Sequence, residues 1–142
     1  MTTRRENILD AVKAALAGTT SVGTKIYRSR VTAVSRAESP CLLISWSNDT
    51  ATQTTSLATL DWSLDVQVAV IVRGNTPDEI ADPIVESLHA KMMTDSTLGG
   101  YLMDIIPTGC NNETFDADQA GGVVTCSYQL KYRTLNNDLA SV

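Results

Sequence analysis

Long apolar runs, histidine, paired cysteines and clustered basic residues are all scarce in this 142-residue chain, and each scarcity removes a class of function. The longest uninterrupted apolar stretch, Val68–Val72, is five residues, against the roughly 18 or more that a membrane-spanning helix needs. Met1–Glu6 leads into no signal-type apolar segment, so the reading is of a chain neither inserted in a membrane nor secreted. Eleven Lys and Arg against sixteen Asp and Glu leave a net charge of −5, and no basic run exceeds Arg4-Arg5. A stripe able to track phosphates is therefore missing, and nucleic-acid recognition is not expected. Cys41, Cys110 and Cys126 are odd in number and form no C-x-x-C pair, which reads as reduced thiols rather than a disulfide framework or a zinc site.

Local signatures of chemistry are equally thin. The sequence has no glycine-rich phosphate loop, nucleophile elbow or H-E-x-x-H helix. His89 is the lone histidine and sits at the margin of an apolar helical stripe, where boundary packing explains it. Cys41 and Cys126 fall inside strand patterns, the usual place of a small buried hydrophobe. Asp116 and Asp118 begin a faint calcium-loop pattern that fails at its twelfth position, Ser127, where a bidentate Glu is required. Asp61 and Asp65 share one strand face but stand about 13 Å apart, beyond the roughly 5–9.5 Å of paired catalytic carboxylates. The expectation is a non-enzyme with no catalytic residue, cofactor or metal.

What the chain does have is a hydrophobic content of 43% in a length that suits one core. A single domain over 1–135 is expected, with a flexible tail over 136–142. Thr3 and Glu6 have capping-box spacing, and Ile8, Leu9, Val12 and Leu16 form one stripe, so a helix is expected over 4–17 with Gly18 closing it. Strand character follows in Lys25–Arg36 and in the near-continuous apolar run Cys41–Trp46. Ser47–Thr59, poor in apolar residues and rich in Thr, reads as a mobile loop. In Leu60–Val72 apolar residues alternate strictly with others, giving a strand long enough to project beyond its own core. Thr76-Pro77-Asp78-Glu79 starts a helix with a capping box and a buried stripe of Ile80, Ile84, Leu88 and Met92, ending near Asp95. Tyr101–Ile106 is compatible with a strand or a short helix, Asn111–Gly122 is polar, and Val124–Arg133 alternates as a half-buried strand. The order implies an α+β fold: an antiparallel, mostly four-stranded sheet with two helices packed on one face.

Taken together, the Arg4–Val12 helix, the Ile26–Val34 strand, Ser39–Ile44, the long Leu60–Val72 strand and Thr76-Pro77-Asp78-Glu79-Ile80 resemble the tail terminator family of long-tailed bacteriophages, the lambda-type minor tail protein U. The resemblance covers about Thr3–Leu135 and rests on the order, length and texture of elements. It implies a virion structural protein, assembled in the host bacterial cytoplasm. Its copies would form a homohexameric ring that caps the tail tube, halts addition of the major tail tube protein, and offers its other side to a head–tail connector or neck protein. Exposed strand edges and adaptable loops serve such contacts, which singles out Asp49, Thr52 and Gln53. Arg28 and Arg30 in the densest basic segment could meet Asp61 and Asp65 of a neighbouring subunit. The alternatives are a head-closure or other tail-completion protein and, further off, a small ligand-binding or enzymatic domain.

Overall fold

Amphipathic spacing sets both helices, and side-chain capping the first. The fold is taken from a computed structural model that describes residues 3–23, 25–28, 40–53, 58–115 and 121–140. The first helix, α1, spans Arg4–Leu16, and the Thr3 hydroxyl accepts from the Glu6 N–H at 3.2 Å, satisfying one of the free donors of the first turn. Ile8, Leu9, Val12 and Leu16 are all buried, and Gly18 leaves the helix at φ +82°, a conformation that favours glycine. The second helix, α2, spans Pro77–Thr94 with Pro77 in its first turn. Its N-cap Thr76 makes no side-chain capping bond, so Asp78 and Glu79 carry the charge complementarity of that end. The buried stripe is Ala81, Ile84, Leu88 and Met92; Ile80, expected inside, is 39% exposed because it lies one residue, about 100°, behind Ala81.

The sheet departs from expectation in three ways. Among the described residues it has five strands rather than four, it is mixed rather than antiparallel throughout, and its second strand is longer. Strand β1 (Ile26–Arg28) pairs in parallel with β2 (Cys41–Thr52), and β2 pairs antiparallel with β3 (Thr59–Arg73). Strand β5 (Gly121–Leu135) lies on the other side of β3, and β4 (Asp104–Phe115) forms the outer edge, giving the order β1-β2-β3-β5-β4. Of the expected Lys25–Arg36 strand, residues 26–28 are seen, and 29–36 lie outside the described residues. So do 54–57 of the expected loop and the 116–118 calcium-like motif.

Backbone pairing explains both unexpected strands. Residues 47–52 belong to β2 because β3 supplies a partner for their N–H and C=O groups, whatever their side chains. Strand β4 likewise pairs with β5 from Asp104↔Lys131 to Phe115↔Gly121, although Ile105 is its one residue known to be buried. The long third strand does not project: β5 matches it along its whole length, from Thr59↔Leu135 to Arg73↔Gly121. The tail is also held as far as residue 140. The Arg4 N–H donates to the Leu139 carbonyl at 2.8 Å, and the Asn136 N–H to the Ala58 carbonyl at 2.9 Å.

Both helices cover the same face of the sheet. Leu42 and Ile44 of β2, Leu64, Val66, Val68, Val70 and Val72 of β3, and Cys126, Tyr128 and Leu130 of β5 form one core with the helical stripes. Gly122 sets how closely α2 begins above this layer: a Cβ there would lie 2.8 Å from the Pro77 Cβ and 3.2 Å from the Glu113 carbonyl oxygen. Gly122→Ala is therefore expected to destabilise by about 1–3 kcal/mol through overpacking, and Leu88→Ala by about 2–5 kcal/mol through a cavity. Urea midpoints measure both, and a neutral Gly122→Ala would show that α2 can lift off without cost.

Candidate assembly surface

The period-two alternation that buries one face of β3 presents the other. Asp61, Ser63, Asp65, Gln67, Ala69, Ile71 and Arg73 are each partly exposed, while Leu64 to Val72 at the alternate positions are dry. Register extends this face sideways. Gln67 lies between Ser45 and Ser127, Asp65 between Asn48 and Gln129, and Ser63 between Thr50 and Lys131. Thr52 pairs with Asp61, and Asp61 with Arg133, whose guanidinium donates to the Asp61 carboxylate at 2.6 Å. At this end Thr52, Asp61, Ser63, Asp104 and Lys131 help to line an open hollow of about 420 Å³ with the exposed Met103 beside it. Lys131 sits directly across from Asp104 on the edge strand. The result is a surface that alternates charge along its lower half and is apolar at its upper end, where Leu43, Ala69, Ile71 and Val123 lie.

A β-bulge decides which residues of β2 join it. The register shifts between Trp46 and Asn48, so Ser47 is inserted, and side-chain direction reverses for everything after it. Ser47 turns to the open face, where its hydroxyl meets the Gln67 amide at 3.0 Å. Asp49 turns to the helix face, opposite Leu64, with its side chain only 3% exposed. There it accepts a short hydrogen bond from the Tyr132 hydroxyl and pairs with Arg5 of α1 at 3.4 Å. Arg5 also stacks over the Trp46 ring at 4.4 Å, and Tyr132 stacks on Trp62 with ring centroids 6.1 Å apart. The Trp62 indole N–H is satisfied by Thr134 at 2.8 Å.

The residues named from sequence are thus dispersed. Asp61, Asp65 and Thr52 share the open face, and exposed Gln53 follows at the end of β2. Asp49 is a structural carboxylate beneath α1. Arg28 binds the α1 carboxylates of Glu6, at 2.9 Å, and Asp10. Partial burial lowers its pKa, but those two acids hold it above the ordinary arginine value. Arg30 lies outside the described residues. Sequence reasoning missed Arg5, Trp46, Tyr132, Lys131 and Arg133. Lys131 and Arg133 were legible as the polar phase of an alternating strand, whereas the Arg5–Asp49 contact depends on a bulge that no residue type announces. His89 lies against Tyr128, its Nδ1 3.0 Å from the phenol oxygen and the two rings stacked. The Cys126 thiol faces that of Cys110. The sequence matches no protein-family model, and a search of curated proteins finds no relative.

Burial raises the Asp49 pKa above the ordinary carboxylate value, against the opposing pull of Tyr132 and Arg5, and its Oδ1 has no hydrogen-bond partner within the described protein. Burial, then Asp49, likewise pushes the Tyr132 phenol upward. The folded chain holds the Asp49 proton more tightly than the unfolded chain does. This contribution to stability is therefore complete below the ordinary value of about 4 and is lost as pH rises through the raised folded value. Asp49→Asn keeps an acceptor for Tyr132 but does not titrate. Its stability relative to the native protein is expected to improve between about pH 4 and pH 7, read as urea midpoints. A gap that stays constant, or moves the other way, would assign the raised value to something other than burial.

Proposed function

We propose that the protein is a structural component of a phage tail, whose copies form a ring that caps the tail tube, ends its polymerisation and presents a second surface to the neck. The observation that carries this reading is the two-sidedness of the subunit. Helices cover one face of the sheet, and the opposite face, which neither helix covers, is polar and charged from Gln67 to Asp61 and apolar at Ala69 and Ile71. A tube grows because each added ring recreates the surface it bound. Growth stops when a ring docks through one side and presents an unlike side to the next arrival. A subunit with chemically different sides satisfies that requirement without moving parts.

Two free edges support a closed ring. Among the described residues the outer side of β4 pairs with nothing, and β2 beyond Ile44 has a partner on one side only. These edges lie at opposite ends of the sheet, the arrangement for head-to-tail contact, and head-to-tail contacts close into rings when the rotation permits. The charged part of this face, from Gln67 to Asp61, suits a surface that must stay hydrated before it docks.

Light scattering and electron microscopy of the purified protein should give rings, and adding it to polymerising tube protein should yield shorter, capped tubes. Reversing charge on this face with Lys131→Glu is expected to weaken tube capture about tenfold or more while lowering stability, read as the urea midpoint, by no more than the roughly 1 kcal/mol that a like-charge pair with Asp104 costs. A protein that stays monomeric at high concentration and leaves tube length unaltered would defeat the reading.

A further inference from the structure

The edge strand carries a pair of thiols that the proposed ring does not use. Cys110 of β4 is directly opposite Cys126 of β5, and their sulfurs are 3.6 Å apart. Opposed residues of antiparallel strands have Cα atoms about 4.5–5.5 Å apart, inside the roughly 4.4–6.8 Å that a disulfide spans. Bond formation therefore needs only a small side-chain rotation and no backbone movement. The two thiols differ in access: Cys110 is exposed, whereas Cys126 is 2% exposed beneath the helix layer. Cys41, also buried, lies on β2, two strands away.

We infer that Cys110 and Cys126 form a redox-responsive site, oxidised by a low-molecular-weight disulfide to a cross-strand disulfide that staples the outer edge of the sheet. In the first step the Cys110 thiolate attacks one sulfur of the oxidant. A mixed disulfide forms, the oxidant's own sulfur–sulfur bond breaks, and one small thiolate leaves. Cys126 then gives up its proton and its sulfur attacks that of Cys110, forming the internal bond and expelling the second small thiol. Two protein thiols are oxidised, and one small disulfide is reduced to two thiols. The exposed residue must react first, since the oxidant cannot reach Cys126. Burial and the neighbouring Cys110 push the Cys126 thiol up to about 12, which slows the resolving step and allows the reduced form to persist at neutral pH.

The staple has a structural consequence because β4 has one strand partner, β5, and its outer side is free among the described residues. The cysteines are sixteen positions apart, so the bond closes a short loop and restrains the strand that any edge-on neighbour would meet. The experiment is incubation of the native full chain with oxidised glutathione, followed by thiol titration, intact mass and thermal unfolding. The expected result is loss of two of the three free thiols, a mass lower by two hydrogens, and a melting midpoint about 10 °C higher, a size that follows from closing a loop of this length in a domain of this length. Cys110→Ser, exposed and without folding cost, should accumulate no internal disulfide and show no rise. A persistent glutathione adduct, an intermolecular dimer, three unchanged thiols or an unchanged melting midpoint would each overturn the assignment.

Discussion

Strict alternation along β3 is the constraint on which the rest of the structure depends. Every second residue from Leu64 to Val72 is buried against α1 and α2, so the phase of this one strand fixes which face is dry. Because β3 lies second from β1 and has a full-length partner in β5, its phase is imposed on both neighbours by register. A slip of one residue would bring Asp61, Asp65 and Gln67 under the helices and turn five apolar side chains to water. Uncompensated burial of those carboxylates costs far more than any single contact here contributes. The bare face is thus a direct product of the core and needs no separate specification.

Where side chains carry the pattern, the sequence was readable. The α1 stripe, the start of α2, β3 and β5 all announce themselves by period and by caps, and they account for most of the core. Failure came where backbone pairing alone makes the element. Strand β4 holds Pro107, Gly109 and a run of polar residues, and it exists because β5 offers a ladder of donors and acceptors to an edge that needs no apolar side. The extension of β2 through Asn48 and Thr50 has the same origin, since thirteen polar-rich residues without a dry face look the same as a loop until a partner strand is known. Parallel pairing of β1 with β2 is a fact of topology, invisible to any local window.

The surface was legible to the same degree. Asp61 and Asp65 could be placed because they occupy the polar phase of a clear alternation, and Lys131 and Arg133 were open to the same argument. Asp49 could not be placed, because the inserted Ser47 inverts every direction after it. Its burial beside Arg5, Tyr132 and Trp46 also shows what the bulge accomplishes. Were β2 regular, Asn48 would face α1 and Asp49 would join Asp65 on the bare face. With the bulge, α1 is tied to the sheet by a charged pair that tolerates few alternative registers, a use of buried polar groups in which specificity matters more than net stability.

A sheet covered on one side has two further properties that belong together. Its bare face and its outer edge are both unsatisfied surfaces, but they differ in what they tolerate. The charged part of the face can remain hydrated, whereas an edge strand exposes directional backbone groups that pair with any suitable strand. Proteins usually guard such edges with charge, proline or a bulge. Strand β4 has Asp104 and Glu113, and Pro107 within a register shift that ends at Gly109. Those devices sit on either side of Cys110 but leave the strand attached to the sheet through β5 alone, because no further strand reinforces it from outside among the described residues. Holding β4 in place is therefore the same physical problem as controlling what the edge may pair with, and the thiol pair lies at the position where one covalent bond would act on both.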